Sequence, residues 1–475
     1  MKKWSYLLVV AALVLFRCAF NSDAAEPGKQ PNVILILADD LGYGDLGCFG
    51  HPKFKTPNLD RMATEGARLT QFNCPMPYCA PTRASLLTGR YPFRCGMTSN
   101  PAPDGGPQAD AISLPLTELT LAQILKRAGY ATGMVGKWHL GHQKPDFLPT
   151  RRGFDEYLGI LYSNDMRPVQ LVDGLEPVEY PVAQVTLTRR YTERALRFIE
   201  RNKARPFFFY FAHAMPHKPL APSEAFYKKS GAGLYGDVIA ELDWSVGQVL
   251  AKLKELDLDR STLVIFTSDN GPWYGGSTGG LRGMKASSFE GGYRVPLIAR
   301  WPGVIPSGHV NQAPAVMMDL FATTLGIAKV APPKDRMTDG KDIMPLLTSN
   351  AASPHPVIFG HAGPRLASVR DERWKLHVLA PAARKPVSPE EKWIDPRGPD
   401  GVTILAPYDQ SHPSQYPGLE TGDAPKPMML FDLKNDPGEQ HDLSKEHPDV
   451  VTRLKHLYDE MNKELSSVPR SVGAQ

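Results

Sequence analysis

Long apolar runs are scarce in this 475-residue sequence. The most continuous one near the start, Leu7 to Phe16, falls short of the roughly 20 residues that span a bilayer comfortably. It follows Lys2 and Lys3 and precedes polar and small residues, with Ala24 and Ala25 as cleavage positions. That layout is an export signal over residues 1–25, which implies a periplasmic or extracellular protein with no stable membrane anchor. A retained membrane anchor is the alternative; lipidation at Cys18 is weaker, because Arg17 stands where a small residue is required. Cysteine is also scarce, with five in all. If Cys18 leaves with the signal, Cys48, Cys74, Cys79 and Cys95 remain, too few to staple so long a chain. Their pairing cannot be read from spacing. Net charge is low at +4, and residues 1–25 contribute +2 of it. No dense Lys/Arg run stands out, which argues against a nucleic-acid partner.

What is present is an alternation of apolar runs and helical patterns. Val33 to Ala38, Tyr130 to Val135, Pro206 to Ala212 and Thr262 to Ser268 read as strands buried on both faces. Leu119 to Ala128, closed by Gly129, and Thr188 to Asn202 read as helices. Val238, Leu242, Val246, Val249, Leu253 and Leu256 fall at helical spacing. The pattern predicts an α/β fold with a mostly parallel sheet and helices on both faces. After about residue 355 the character changes. Ala367 to Val378 and Met429 to Leu433 read as antiparallel strands, Val450 to Leu465 as an amphipathic helix, and the Pro- and Gly-rich stretch from Pro381 to Pro427 as a surface insertion. No internal repeat is visible. The organisation expected is a signal at 1–25, a catalytic domain at 26–355 and a small C-terminal α+β subdomain at 356–475.

In open α/β sheets ligands gather beyond the carboxyl ends of the strands. Asp39 and Asp40 follow the first apolar run. Gly136, Lys137, Trp138 and His139 follow the second, His213 and His217 the third, and Asp269 and Asn270 the fourth. Each alone reads as turn chemistry. Four on one edge read as a site. Asp39, Asp40, Asp269 and Asn270 are hard oxygen donors, suited to Ca²⁺ or Mg²⁺ rather than zinc.

The most specific stretch is Cys79-Ala80-Pro81-Thr82-Arg83-Ala84-Ser85-Leu86-Leu87-Thr88-Gly89-Arg90. It resembles the signature of type I sulfatases, in which a Cys-x-Pro-x-Arg core marks the cysteine for conversion to formylglycine (3-oxoalanine). Gly129-Tyr130-Ala131-Thr132 through Gly136-Lys137-Trp138-His139 is similar to the family's second signature. Asn32 to Gly44, Asp269-Asn270-Gly271, Gly279 to Gly292 and Leu430-Phe431-Asp432-Leu433 through Asp436-Pro437 also look familial. Tyr162-Ser163-Asn164-Asp165 resembles the arylsulfatase A-like branch.

The resemblance implies an alkaline-phosphatase-like sandwich around a large mixed, mostly parallel sheet. It also implies hydrolysis of an aryl or carbohydrate sulfate ester to an alcohol and inorganic sulfate. The hydrated aldehyde at position 79 would attack sulfur with one hydroxyl and expel sulfate by using the other to re-form C=O. One Ca²⁺ would sit on Asp39, Asp40, Asp269 and Asn270, with residue 79 as a further ligand. Arg83 would steady the diol and the metal; Lys137 and Lys285 would bind sulfate and neutralise its oxygens in the transition state. His139 would take the second hydroxyl's proton. His217 would bind sulfate or protonate the leaving oxygen, Lys285 would also assist that oxygen's departure, and Ser163 would contact substrate. A helix beginning near Thr82 would aim backbone N–H groups at the anion. A formylglycine-generating or radical maturation enzyme is the implied partner. Two readings compete. One is a phosphodiesterase or phosphonate hydrolase of the same fold, disfavoured by the oxygen-only donor set. The other is a sulfoglycan-binding protein with unmodified Cys79.

Overall fold

A computed structural model describes residues 30–382, 408, 410 and 419–467. The export signal and most of the 381–427 insertion therefore lie outside the described residues.

The strands are β1 (Asn32–Ala38), β2 (Ala67–Asn73), β3 (Ala131–Lys137), β4 (Glu156–Ile160), β5 (Leu171–Asp173), β6 (Glu176–Glu179), β7 (Phe207–Ala212), β8 (Thr262–Ser268), β9 (Arg294–Arg300), β10 (His309–Asn311) and β11 (Ala315–Val316). They form one 11-stranded sheet in the order β10-β2-β9-β8-β1-β7-β3-β4-β5-β6, with β11 on β2. The middle of that order, β8-β1-β7-β3-β4, is parallel; β9 runs antiparallel to both β8 and β2. The four runs read as strands from sequence are its central members.

Strand geometry explains the sandwich. Successive side chains of β1 point to opposite faces. Val33, Leu35 and Leu37 join a core with Ala84, Leu87, Leu121, Leu125, Leu320 and Phe321, which belong to helices Cys79–Thr88, Leu121–Arg127 and Asp319–Ile327. Ile34, Ile36 and Ala38 join a second core with Ala195, Phe198, Ile199, Leu242, Val246 and Val249, on helices Leu187–Asn202 and Gly233–Glu255. A strand apolar on both faces is thus explained by cover on both faces.

A second, four-stranded antiparallel sheet has the order β12-β13-β14-β15: Ile358–Ala362, Arg365–Arg370, Trp374–His377 and Met429–Asp432. The helix Pro448–Ser467 lays Leu454, Tyr458, Met461 and Leu465 on Leu366, Val369, Leu376 and Leu430. The stretch expected as strand from Ala367 to Val378 is interrupted. Asp371 Oδ1 accepts the backbone N–H groups of Arg373 and Trp374 at 2.8 and 2.6 Å, turning the chain between β13 and β14. The described points of the insertion touch the main body. Tyr408 stacks on Tyr227 at 3.8 Å, Gln410 bonds Leu220, and Leu419 pairs with Gly283.

Candidate active site

The register of the parallel strands brings four strand ends level. Leu37 pairs with Ala212, Ala38 with Ser268, and Gly136 with Ala212. The next residues on each strand therefore converge. Gly136 is indispensable to this approach: at φ 99° it lies so close to β7 that a Cβ would sit 1.6 Å from Ala212 O. Asp40 and His139 turn off their strands in the left-handed region, at φ 63° and 61°. Asp and His are among the side-chain-bearing residues that tolerate it best.

Cys79 arrives from the opposite side, as the first residue of its helix. The start expected near Thr82 is therefore three residues too late. Tyr78, extended at φ −144° and ψ 148°, is the N-cap, and Thr82 N–H reaches back to Tyr78 O at 3.4 Å. Ala80 N–H donates to Asn100 Oδ1 at 3.0 Å, and Pro81 has none.

Cys79 Sγ lies 3.4 Å from Asp39 Oδ1, 3.8 Å from Asp40 Oδ1 and 3.3 Å from Lys285 Nζ. Arg83, one turn on, is fully buried. Its Nε and Nη2 are each 2.9 Å from Asp269 Oδ2, its Nη1 donates to Lys137 O at 2.8 Å, and its Nη2 is 3.5 Å from Asp39. Lys137 Nζ donates to Asp39 Oδ2 at 2.6 Å and to Ser163 Oγ at 2.5 Å. Lys285 Nζ donates to Asp40 Oδ2 at 2.8 Å. Three cations thus face three carboxylates in a fully buried cluster.

These surroundings set the protonation states. Burial and the Asp39 charge raise the Cys79 thiol well above its ordinary value, so it is held as a thiol. Burial works against ionised Asp39, yet Lys137, His217, Arg83 and Lys285 hold it well below the usual carboxylate range. Burial and the Asp39 charge push Asp269 up to about 7. His217 Nδ1 lies 2.7 Å from Lys218 O, a bond that requires a proton on Nδ1 and leaves Nε2 as an acceptor 3.4 Å from Ser163 Oγ. Burial and Lys285 lower its pKa. His139 Nε2 is 3.0 Å from Pro101 O, so it carries the proton, while buried Nδ1 has no hydrogen-bond partner among the described residues. Burial and Lys137 keep this ring neutral.

The donor set fits a hard cation. Ligand atoms from Asp39, Asp40, Cys79 and Asp269 all lie within 4.8 Å of one another. Asn270 Nδ2 donates to Asp40 Oδ1 at 2.7 Å, but its buried Oδ1 has no hydrogen-bond partner among the described residues. A buried amide oxygen without a donor beside carboxylates fits an oxygen-coordinated ion.

Other residues here escaped sequence reading. Buried Asp45 accepts from Gly42 N at 2.6 Å, Ser277 N at 2.6 Å and Tyr235 Oη at 2.7 Å, tying the Asp39–Asp40 loop to the segment after Asn270. Asn164 steers His217, with Oδ1 3.0 Å from Nδ1. For Asp45 the glycine beside it in Gly44-Asp45 was the available signal; Asn164 lies within the Tyr162-Ser163-Asn164-Asp165 stretch, which named no role for it. His213, set aside from sequence, stacks on Phe211 at 4.1 Å.

Comparison with known proteins bears on this arrangement. The protein-family model for sulfatase matches residues 31–330, and that for the C-terminal region of aryl-sulfatase matches 353–475. The chain is similar to N-acetylgalactosamine-6-sulfatase of Canis lupus familiaris, 38% identical over 97% of this chain and 90% of that protein. It is 37% identical to arylsulfatase A of Homo sapiens, over 90% of this chain and 87% of the other. A solved structure described under metabolism of multiple glycosaminoglycans by Bacteroides thetaiotaomicron superposes with a TM-score of 0.76 at 28% identity, covering 92% of this chain and all of that one.

Proposed function

Because the chain belongs to the type I sulfatase family and is a sulfuric ester hydrolase, we propose that it is an exported, calcium-dependent sulfatase whose nucleophile is made from Cys79. The observation that carries this reading is the environment of Cys79. Its sulfur sits between two carboxylates and an ammonium, buried and held as a thiol. A protonated thiol is no nucleophile, and its sulfur is a poor ligand among hard oxygen donors. Conversion to formylglycine removes both objections, since the hydrated aldehyde supplies one hydroxyl to attack sulfur and a second to expel sulfate. Asp39, Asp40, Asp269 and Asn270 would hold the calcium, which would supply positive charge to stabilise the sulfate and the attacking oxygen.

The chain's own residues do the rest. Arg83 pins Asp39 and Asp269 by its planar fork, so its action on residue 79 runs through those carboxylates. Lys137 and Lys285, buried beside Asp39 and Asp40, bind the sulfate oxygens. His217 offers Nε2 to the leaving oxygen, with Ser163 beside it. The unpartnered Nδ1 of His139 is placed to accept a proton. Domains at 26–355 and 356–475 follow from the same reading.

The substrate is a sulfate ester of a small molecule or glycan. Similar proteins named for N-acetylgalactosamine 6-sulfate and for glycosaminoglycan metabolism favour a sugar. Export rests on residues 1–25; among the described residues no helix is long and apolar enough to cross a membrane. The test is peptide mass spectrometry across residue 79 of protein that turns over nitrophenyl sulfate. An aldehyde residue is expected. Full activity with only unmodified cysteine refutes the mechanism.

A further inference from the structure

Lys137 reaches the candidate site from the end of β3, whereas Lys285 comes from the loop between β8 and β9. That loop closes on itself where Gly291 N–H donates to Arg282 O at 2.8 Å. Its tip is held to the catalytic body by Lys285 N–H on Pro272 O at 2.9 Å and by Ala286 N–H on Pro77 O at 3.0 Å. Its base rests on the C-terminal subdomain, and the period of the small sheet explains how. Leu376 on β14 and Leu430 on β15 face the helix Pro448–Ser467. The alternate residues face the loop. Met429 and Phe431 pack with Phe289; His377 meets the same ring edge-on at 5.3 Å, and Lys375 Nζ donates to Ser288 O at 3.0 Å. Glu439 joins these pieces. Its Oε2 accepts the Glu290 N–H, and its Oε1 lies 2.6 Å from His377 Nε2 and 3.2 Å from Lys375 Nζ. Its carbonyl oxygen accepts Arg282 Nη1 at 3.0 Å. Both ends of the loop, Arg282 and Glu290, therefore close on one residue. Glu439 is fully buried and sits at φ 53°, in the left-handed region that glutamate seldom adopts.

We infer that Glu439 is a positioning residue for Lys285, so that the C-terminal subdomain sets where this ammonium meets the substrate's sulfate; this rests on the sulfatase reading above. A lysine is a point charge on a flexible four-carbon stem. Its place 2.8 Å from Asp40 and 3.3 Å from Cys79 Sγ is therefore decided by where its backbone is fixed. Misplacing a substrate-positioning group by about 1 Å can cost about a hundredfold. The two bonds from Glu439 to the loop differ in what they need. The Glu290 N–H needs an acceptor oxygen on the side chain, not a charge. Glutamine supplies that oxygen, and its N–H can turn to His377 Nε2. Burial and Lys375 lower the His377 pKa, and a neutral imidazole can carry its proton on Nδ1 instead. Alanine supplies no acceptor. The carbonyl bond to Arg282 is independent of the Glu439 side chain.

The experiment measures binding of inorganic sulfate to the matured, calcium-loaded enzyme by calorimetry. The proteins are wild type, Glu439→Ala, Glu439→Gln, Lys285→Ala, the double variant E439A/K285A, and Leu454→Ala, a core deletion on the opposite face of the small sheet. Each is measured where circular dichroism shows it folded. E439A is expected to weaken sulfate binding about tenfold or more, and E439Q to recover most of that loss. In the K285A background E439A should add less than about twofold, because a residue acting through Lys285 has nothing left to act on. L454A should stay within about twofold of wild type, since it loosens the subdomain without releasing the loop. If E439A does not fold, Arg282→Met, which frees the loop from the Glu439 carbonyl, carries the same expected loss with Lys285 present and the same absence of one in K285A. Four results overturn the inference: sulfate affinity unchanged in E439A or R282M, losses that add in full to that of K285A, an E439Q protein as weak as E439A, or an equal loss in L454A. A wild type that binds no sulfate, or a K285A protein that binds it as well as wild type, overturns the underlying reading of Lys285 instead.

Discussion

Replacing His217 with Ala should slow sulfate esters in proportion to how poor their leaving groups are, whereas replacing Lys285 with Ala should slow all of them alike. The distinction comes from the surroundings of the two groups. Lys285 is paired with Asp40 at 2.8 Å, and that carboxylate together with Asp39 raises its pKa against the effect of burial. That pairing favours its charged form, so its help is electrostatic and indifferent to the alcohol. His217 keeps its Nδ1 proton on Lys218 O and presents a bare Nε2. With its pKa lowered by burial and Lys285, it must gain a proton once anionic substrate is bound, and can then pass it to the departing oxygen. A positioned general acid is worth about 10²–10⁴-fold where the leaving group needs it. Sugar alcohols and nitrophenol differ by roughly eight units of pKa, so a thousandfold loss confined to the former steepens the plot of log kcat/KM against leaving-group pKa by about 0.4 per unit. The assay is turnover of wild type, H217A and K285A on a graded series of aryl and alkyl sulfates. In wild type the sugar-sulfate rate should also fall as pH rises, because the protonated ring is lost, and H217A should flatten that limb. Equal slopes in wild type and H217A, or a steeper slope in K285A alone, refute the assignment.

Three further outcomes are expected. Calcium at a hundredfold above its Kd should stabilise wild type by about 2.7 kcal/mol in denaturant unfolding; Asp269→Ala should abolish that increment and Asn270→Ala reduce it, and equal stabilisation of all three proteins would remove the site. Glu290 is a buried carboxylate bonded to Arg294 Nε at 2.8 Å, Lys375 Nζ at 3.0 Å and Arg370 Nη1 at 3.1 Å, so Glu290→Gln should cost about 3–5 kcal/mol by leaving those cations uncompensated. Against the cost of burial, Lys375, Arg294 and Arg370 hold Glu290 far below the usual carboxylate range; its contribution is therefore complete above its unfolded value of about 4.3 and lost as pH falls below it. Acid unfolding followed by circular dichroism should accordingly start below about pH 4 in wild type, and the gap between wild type and E290Q should narrow there.

The central strands and the candidate site were legible because their causes are local. A run such as Val33 to Ala38 has nothing polar to give either face, so it demands cover on both. Asp39–Asp40 and Asp269–Asn270 are recognisable because strand-end turns favour the same short oxygen-bearing side chains that bind hard cations. Cys79 to Arg90 is a contiguous recognition stretch, legible without any fold. Strand β9 was hidden: Arg294–Arg300 carries Pro296 and an arginine at each end, the marks of an edge, yet it is buried between β2 and β8. Arg294 is met by Glu290, four residues earlier, whereas Arg300 is met by Glu65 and Asp259 from distant parts of the chain. The helix start at Cys79 was hidden too, since Asn100 supplies the acceptor for Ala80 N–H from beyond the motif. Arg83 looks in sequence like a partner of residue 79; packing sends its fork to Asp39 and Asp269, which lie 44 and 186 positions away. Residue types and short-range order determined which chemistry is present, because backbone turns and a contiguous signature are set by neighbours. Which charge faces which was decided by tertiary structure alone, because those distances are set by strand register and loop closure between segments far apart in the chain.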